Sequence, residues 1–346
     1  MKERRAISPC IAAALLVGMV CTPSQARDQD GALALIQTPN CGAPALAQPG
    51  NTFEAVLAEQ ADLGLTASTG GVFPLTVSWQ TLPGGMQHAL CLVPQDAPPG
   101  TYGLTASVRG RADVNVRSVY VFETFPEAYA VAHVTDVHIG AEDRPRTSEA
   151  IFRDVIKTVN ESGASIALFT GDLTHSGEPD QFRRFLEILD TCILPTFVCP
   201  GNHDRQSLNY EQVFGPLVYY FWFGEDGYLA FDTKDYNTAD DLGRQDADLQ
   251  VFRRAIKPAR WSIGFTHRYE PGMGMRSQIV LFLDNPLDFL VCGHTHRSNK
   301  PDETHVPWGT TAMTVTPAAI DGYLRLIEVT PRGIRPREPV RAPESP

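Results

Sequence analysis

Positive charge, cysteine and long apolar segments are all scarce in this sequence of 346 residues. Lysine and arginine total 29 against 40 aspartates and glutamates, so the formal net charge is −11, and no basic stretch is present. Polymeric nucleic acid is bound mainly through clustered basic side chains, and we therefore expect no such binding. A small anionic substrate would need a local positive centre, such as a metal ion, to overcome this overall field.

The apolar run at residues 11–20 is too short to span a bilayer. It follows three basic residues within the first five positions, and Ser24-Gln25-Ala26 then supplies small side chains. This pattern is typical of a cleavable secretory signal. We expect cleavage after Ala26 and a periplasmic or secreted mature chain with no transmembrane span. The alternative is that the segment is retained as an N-terminal anchor.

Cysteine occurs seven times, and Cys10 and Cys21 fall within the predicted signal. The five that remain are Cys41, Cys91, Cys192, Cys199 and Cys292. Export brings a protein into an oxidising compartment, so Cys41–Cys91 is predicted as a disulfide and Cys192–Cys199 is a second candidate. Sequence alone leaves the pairing open, and the odd number leaves at least one thiol unbridged.

Two long stretches of the chain differ in the periodicity of their hydrophobic residues. Residues 27–125 alternate short apolar runs with Gly- and Pro-rich turns, which predicts a small all-β, immunoglobulin-like sandwich. In residues 128–330 apolar strands alternate with amphipathic helices, which predicts an α/β layered domain. The segment 331–346 is rich in proline and arginine, and we expect a flexible tail there.

Five predicted strands of the α/β stretch are each followed by residues that can carry chemistry. Five of the nine histidines lie in this set. In chain order its members are Asp136 and His138, then Asp172, then Asn202, His203 and Asp204, then His267, and finally His294 and His296. Open α/β sheets bind ligands at the carboxyl ends of their strands. The β-sandwich stretch carries no comparable set.

The residue types in this set are those of a metal centre. Carboxylate and imidazole ligands suit Zn, Mn and Fe, and the set contains no thiolate. Residues i and i+2 at a strand end project to the same side, so Asp136 and His138 can reach one ion. An aspartate such as Asp172 can bridge two cations through its two oxygens. Two adjacent metals stabilise both the attacking and the leaving oxygen of a displacement, as hydrolysis of a phosphate ester requires.

The motif order Asp-x-His, Gly-Asp, Gly-Asn-His-Asp, His, Gly-His-x-His resembles the calcineurin-like metallophosphoesterase superfamily, over residues 128–330. The resemblance implies a four-layer α/β/β/α sandwich around two divalent or mixed-valence metal ions, which could be Mn, Zn or Fe. It also implies a metal-dependent phosphoric ester hydrolase, either a phosphatase or a phosphodiesterase. One metal would be held by Asp136, His138, Asp172 and His296. The other would be held by Asp172, Asn202, His267 and His294, with Asp172 bridging.

The same resemblance assigns the remaining motif residues. His203 would protonate the leaving alkoxide, Asp204 would orient His203, and a metal-bridging hydroxide would attack the phosphorus. Purple acid phosphatases have a tyrosine where this chain has His175, which we expect beside the site or at the surface rather than as a ligand. Arg268 and Arg297 flank ligands and are candidates for phosphate contacts, although either could instead lie in solvent.

Two other functions remain open from the sequence. The chain could be a non-catalytic cell-envelope binding protein whose β-domain recognises a partner and whose metal site is a relic. Relics usually lose a ligand, however, and here none is missing. A lactamase-like di-metal hydrolase would carry a His-x-His-x-Asp-His cluster, which is absent. The motifs select neither a particular small phosphoester substrate nor an oligomeric state.

Overall fold

The computed structural model of this protein describes residues 31–142, 144–233, 239–269, 278–300, 303–307 and 309–345, with the backbone alone for 239–246. The predicted signal at residues 1–26 lies outside these ranges. Within them, no helix is both long enough and apolar enough to cross a membrane.

The N-terminal part of the described chain consists of two sheets that enclose one apolar core. Its strands are β1 Ile36–Thr38, β2 Ala45–Ala47, β3 Thr52–Leu57, β4 Asp62–Ala67, β5 Val72–Pro74, β6 Thr76–Thr81, β7 Gln87–Leu92, β8 Gly100–Val108 and β9 Arg111–Val121. The strand orders are β1-β3-β7-β6 and β2-β9-β8-β4-β5. This region is therefore all-β. Its assignment as immunoglobulin-like stays a prediction.

The C-terminal part alternates strands with helices around two further sheets. Its elements are β10 Tyr129–Val134, α1 Ser148–Glu161, β11 Ile166–Thr170, α2 Pro179–Leu189, β12 Thr196–Cys199, α3 Asn209–Phe214, β13 Tyr219–Phe223, β14 Asp226–Ala230, α4 Ala239–Ala255, β15 Ser262–Phe265, β16 Phe289–Cys292, β17 Ala312–Val315, β18 Tyr323–Thr330, β19 Gly333–Pro336 and β20 Val340–Arg341. One sheet has the order β12-β11-β10-β18-β19, with β20 also paired to β18, and the other has the order β13-β14-β15-β16-β17. Short helical turns lie at Asp204–Gln206, Ile279–Leu283 and Ala319–Asp321.

Local sequence explains where the helices of the first sheet begin and which face they bury. The Thr147 hydroxyl caps α1 by accepting a hydrogen bond from the backbone N–H of Ala150. Phe152, Val155 and Val159 recur at helical spacing and are buried against the sheet. Pro179 occupies the first turn of α2, where its missing N–H leaves no hydrogen bond unmade.

Three apolar cores arrange the C-terminal part into layers. One core lies between α1, α2 and the first sheet, and another lies between α4, the Ile279–Leu283 turn and the second sheet. The third lies between the two sheets. On β12 the alternation is visible directly, because Val198 faces the helices while Cys199 faces the second sheet. The mixed α/β class predicted from the sequence is confirmed.

The N-terminal part is bound to one edge of the first sheet. The carbonyl oxygen of Gly42 accepts a hydrogen bond of 2.8 Å from the backbone N–H of Val198, on the edge strand β12. Thr196, also on β12, donates its hydroxyl to the carbonyl of Cys41. Arg117 on β9 donates to the carbonyls of Leu189 and Leu194 at 2.8 and 3.1 Å. Backbone and side-chain hydrogen bonds thus connect the N-terminal part to the first sheet of the C-terminal part.

The predicted disulfides are wrong, because all five described cysteines are reduced and buried. Cys41 packs in the core beneath α1 and α2, whereas Cys91 lies inside the β-sandwich core. The second pair fails for a similar reason, since the first sheet separates Cys192 on its helix face from Cys199 on its other face. An oxidising compartment and a count of cysteines carry no information about these separate cores.

The predicted flexible tail is also wrong for the described residues up to 345. Strand β19 pairs with β18 in antiparallel register, and β20 pairs with the start of the same strand. The Ser345 N–H then lies 3.3 Å from both carboxylate oxygens of the buried Asp154 on α1. Proline and arginine composition suggested disorder, but an unpaired side of β18 offered the segment a ladder of hydrogen bonds.

Candidate metal centre

The motif residues come together at one edge of the two sheets. Strands β10, β11 and β12 are parallel, as are β14 to β17, so the carboxyl ends of each set lie on the same side. Backbone hydrogen bonds join the loops that follow them. The N–H of Asp136 donates to the carbonyl of Gly171, that of His138 to Asp172, and that of Gly293 to His267.

The first group of possible ligands comprises Asp136, His138 and His296, whose ligand atoms all lie within 4.8 Å of one another. His296 Nε2 is 3.3 Å from Asp136 Oδ1 and 3.3 Å from His138 Nε2. His138 Nε2 is in turn 3.9 Å from Asp136 Oδ1. Three ligand atoms therefore face one small space.

The second group comprises Asp172, His267 and His294, within the same limit of 4.8 Å. His267 Nε2 lies 3.2 Å from Asp172 Oδ2 and 3.1 Å from His294 Nδ1. The other ring nitrogen of His267 lies 2.8 Å from the carbonyl of Thr170, so Nδ1 carries the proton. This contact leaves Nε2 as the ligand atom, which is the usual way that a protein fixes a metal-binding histidine.

Asp172 connects the two groups through a single oxygen. Its Oδ2 lies 3.2 Å from His267 Nε2 and 3.7 Å from His138 Nε2. Its Oδ1 accepts a hydrogen bond of 2.9 Å from the backbone N–H of His203. The sequence suggested bridging through both oxygens, whereas the structure turns only Oδ2 towards both groups.

Asp136 is held in the same manner. Its Oδ2 accepts hydrogen bonds from the hydroxyl of Thr135 at 2.8 Å and from the N–H of His294 at 2.9 Å, which leaves Oδ1 facing the first group. The hydroxyl of Thr135 also lies 2.8 Å from the carbonyl of Thr170. Sequence reasoning missed Thr135, because a threonine at the end of a strand gives no signal of such a role.

Asn202 meets the chemical test for a ligand. Its Oδ1 is buried and has no hydrogen-bond partner among the described residues. A buried amide oxygen without a partner is unfavourable by about 1–3 kcal/mol, so its position implies a ligand that the protein chain does not supply. The carboxylate and imidazole groups fit divalent cations of the Zn, Mn and Fe type, and the amide oxygen of Asn202 is a further oxygen donor of the kind such ions accept.

Backbone strain is concentrated at the candidate ligands. Asp136, His138, Asp172, His294 and His296 all have positive φ, between 49° and 71°. Side-chain-bearing residues rarely adopt this left-handed region, and each instance costs about 1–3 kcal/mol. The hydrogen-bonded loops force these residues into it, and the result is that their side chains turn inward. Sequence periodicity could not reveal this feature.

Glycines next to the ligands let the loops approach one another. A Cβ at Gly201 would overlap the backbone nitrogen and the carboxylate of Asp172, and a Cβ at Gly293 would overlap the hydroxyl of Thr135. The glycines of the Gly-Asn-His-Asp and Gly-His-x-His motifs are therefore needed for space between loops.

The electrostatics of the two groups balance carboxylates against imidazoles. Burial is the largest single effect and acts to raise the pKa of Asp136 and Asp172, but the surrounding histidines, His267 foremost among them, together hold the pKa of both carboxyls below their usual range. For His267, burial acts in the opposite direction, and the two carboxylates together raise its pKa to about 9. Burial lowers the pKa of His138 to about 4. His267 thus carries the compensating proton, and a bound cation would displace it.

The prediction that Asp204 orients His203 is wrong. Its fully buried carboxylate accepts hydrogen bonds from the N–H groups of Leu173, Thr174 and Gly201, at 2.8–3.1 Å, and from the Thr174 hydroxyl. It therefore joins the Asp172 loop to the Asn202 loop. His203 is oriented instead by the carbonyl of His175, which lies 2.5 Å from His203 Nδ1.

His203 is half-buried at the mouth of the site, and its Nε2 lies 3.9 Å from Asp172 Oδ2. His138, His175 and His203 form a third group, with ring nitrogens within 4.8 Å of one another. Burial and the neighbouring His267 lower the pKa of His294, and Arg268, one of the two candidate arginines, lies near enough to add to this effect. Arg297 is exposed and acts electrostatically on Glu303.

Comparison with known proteins agrees with this geometry. Residues 129–298 match the family model for calcineurin-like phosphoesterases. A protein of Arcobacter nitrofigilis named "probable glycerophosphodiester phosphodiesterase" is 27% identical over 31% of this chain and 40% of that relative. A 3',5'-cyclic adenosine monophosphate phosphodiesterase of Haemophilus influenzae is 25% identical over 26% of this chain and 35% of that relative. The chain thus spans less than half the length of these curated relatives.

A solved structure extends the likeness to the fold. The purple acid phosphatase from yellow lupin (Lupinus luteus) seeds superimposes with a TM-score of 0.51, at 13% identity, over 85% of this chain and 71% of that chain. At this identity the likeness concerns the fold alone. The family match identifies residues 129–298 as a calcineurin-like phosphoesterase domain, and the convergent strand-end motifs agree with it.

Proposed function

We propose that this protein is an exported, metal-dependent hydrolase of phosphate mono- or diesters. The observation that carries the proposal is the position of Asp172 Oδ2 between two groups of imidazole and carboxylate ligands. The relatives with curated names are phosphodiesterases, which favours diesters over monoesters. Export rests on the signal-like sequence of residues 1–26.

The ligand assignment follows the two groups. Asp136, His138, Asp172 and His296 would hold one ion, and Asp172, Asn202, His267 and His294 would hold the other. Bound divalent ions supply positive charge for the phosphoryl group and lower the pKa of water towards neutrality. This local positive charge would also offset the overall net charge of −11, which by itself would repel a phosphate ester.

His203 is proposed as the general acid. Its Nδ1–H donates to the carbonyl of His175, which fixes the orientation of the ring. A proton on Nε2 can then be donated to the ester oxygen as the phosphorus–oxygen bond breaks. The leaving group then departs as a neutral alcohol, and His203 is left neutral with its proton on Nδ1.

The test begins with metal removal from the purified mature chain. We expect chelation to abolish cleavage of chromogenic phosphate mono- and diesters, and added Mn or Zn to restore it, with elemental analysis reporting about two ions per chain. A folded, metal-loaded sample that cleaves no phosphoester would refute the proposal.

The role of His203 is tested by His203→Ala, with His88→Ala in the β-sandwich as a matched control. Loss of a general acid lowers turnover about 10²–10⁴-fold, and we expect this loss with the metal content unchanged. Loss of metal from the His203→Ala variant would instead make His203 a ligand. Metal-dependent turnover in the wild type would also exclude the non-catalytic binding protein with a relic site.

A further inference from the structure

The third group of imidazoles contains one ring that the proposed function does not use. His138 belongs to the first group of ligands, and His203 is the proposed general acid. Within the described part of the chain, the ring of His175 makes no hydrogen bond or ion pair, although one of its nitrogens lies within 4.8 Å of ring nitrogens of His138 and His203.

The backbone of His175 is fixed on both sides. Its N–H donates to the carbonyl of Ile139 at 3.0 Å, and its own carbonyl accepts from His203 Nδ1. The loop that carries His138 and the loop that carries His203 therefore both hold this residue. Any substrate within reach of the general acid is consequently close to the ring of His175.

The rings of His175 and His203 lie side by side at the opening of the site. Their centroids are 5.4 Å apart with an interplanar angle of 33°, and the His175 ring is 5.9 Å from that of His138. His175 is exposed, whereas the ligands Asp136, Asp172 and His267 are buried. The His175 ring is thus placed at the solvent side of the ligands, where a phosphate ester would enter.

Neither group that combines a carboxylate with imidazoles includes His175. A cation held by His175 would have to share His138 and His203, both already used in the proposed function. An imidazole N–H, in contrast, is a good donor to an anionic oxygen, and such charge-assisted hydrogen bonds are about twice as strong as neutral ones. Contact with substrate is therefore the better use of this ring.

We propose that His175 is a substrate-contacting residue, whose imidazole donates a hydrogen bond to a phosphoryl oxygen while His203 serves the leaving oxygen. This inference rests on the proposed function. It assigns two imidazoles to one phosphate ester, one for holding the phosphoryl group and the other for proton transfer. His175 would thus fix the angle at which the ester presents its leaving group to His203.

The variants His175→Ala and His175→Gln test this role, with His88→Ala as the control. Loss of a hydrogen bond to a charged oxygen corresponds to about 10- to 100-fold. For His175→Ala we expect kcat/KM on a diester to fall by that factor, chiefly through KM, and the affinity for inorganic phosphate in calorimetry to fall about tenfold or more. His175→Gln, which keeps an N–H donor, should recover part of both. The metal content should equal that of the wild type.

Unchanged phosphate affinity and unchanged kcat/KM in His175→Ala would overturn the inference. Loss of one ion from that variant would also overturn it, because His175 would then be a ligand. The phosphate measurement needs no turnover, so it tests His175 even if the wild type cleaves none of the esters supplied. Absence of turnover in the wild type would refute the proposed function separately.

Discussion

The β-sandwich and the phosphoesterase domain place backbone strain in different kinds of position. In the sandwich, the described non-glycine residues with left-handed φ are Arg109, at the turn between β8 and β9, and Arg117, at an irregularity within β9. In the phosphoesterase domain they are Asp136, His138, Asp172, His294 and His296. Every one of these five faces the candidate metal centre.

Histidines are also distributed unevenly between the two regions. His88 is the single histidine of residues 31–125, whereas eight of the nine histidines lie beyond residue 128. In the sandwich, the strained residues lie at a hairpin turn and at Arg117, whose side chain reaches the neighbouring domain. In the phosphoesterase domain, the strained residues direct candidate ligand side chains towards one another. The contrast teaches that a run of strained polar residues indicates chemistry only where their side chains converge.

The largest expected contrast compares one buried aspartate from each domain. Asp172→Asn removes the carboxylate that connects both ligand groups, and we expect turnover to fall by more than the ~100-fold typical of partners that only orient ligands. Elemental analysis should show lost metal. Asp113→Asn in the sandwich alters a carboxylate that accepts from the N–H of Ile36 at 2.8 Å, and it should lower the melting temperature while metal and turnover persist. If both variants lost the same amount of metal, the expected difference between the two aspartates would be refuted.

The second contrast concerns glycines. Gly293→Ala places a methyl group against Thr135, whose hydroxyl holds Asp136 Oδ2, so the cost is about 1–3 kcal/mol of overpacking together with reduced turnover. In Gly71→Ala the new methyl group would meet nothing closer than 3.7 Å, and stability should hardly change. Chemical denaturation and assay of both variants provide the measurement. A neutral Gly293→Ala would show that the loops are not tightly packed.

The third contrast is in the response to acid. His133 is fully buried between the hydroxyls of Thr170 and Thr316, and burial lowers its pKa to about 3. Because the unfolded side chain takes up a proton near pH 6.5, stability is present above that pH and is lost as the pH falls towards 3. The loss at pH 5 is about 2 kcal/mol.

The variant His133→Gln should lack this part of the acid dependence. Denaturation of both proteins at pH 7 and pH 5 gives the comparison, and His88→Ala in the sandwich should follow the wild type. If His133→Gln loses as much stability between the two pH values as the wild type does, the assignment to His133 fails.

The last contrast concerns the interface between the domains. Arg117→Ala removes two hydrogen bonds to carbonyls from a side chain that is 13% exposed, and we expect about 1.5–3 kcal/mol less stability. Calorimetry should then resolve unfolding of the sandwich from that of the phosphoesterase domain. A single unshifted transition would show that the other interface contacts suffice to hold the two together.

Residue types and spacing predicted which side chains converge, because each motif follows a strand that periodicity could locate. Asp172 and His267 could be named from the sequence for this reason. What the sequence could not supply were contacts across the fold. The target of Asp204, the hydroxyl of Thr135 and the separate cores around Cys41 and Cys91 each depend on which loops become neighbours. The ordered structure of the C-terminal tail likewise depends on its pairing with the free side of β18.

The contact between Gly42 and Val198 gives the sandwich a protective role. Strand β12 is an edge strand, and exposed edges are templates for pairing with other chains and for aggregation. The carbonyl of Gly42 occupies the outward N–H of Val198, four residues before Asn202, the first candidate ligand of the Pro-Gly-Asn-His loop. A truncated chain that begins near residue 128 would expose this edge beside its own metal centre. We therefore expect the sandwich, by covering this edge, to limit self-association of the chain.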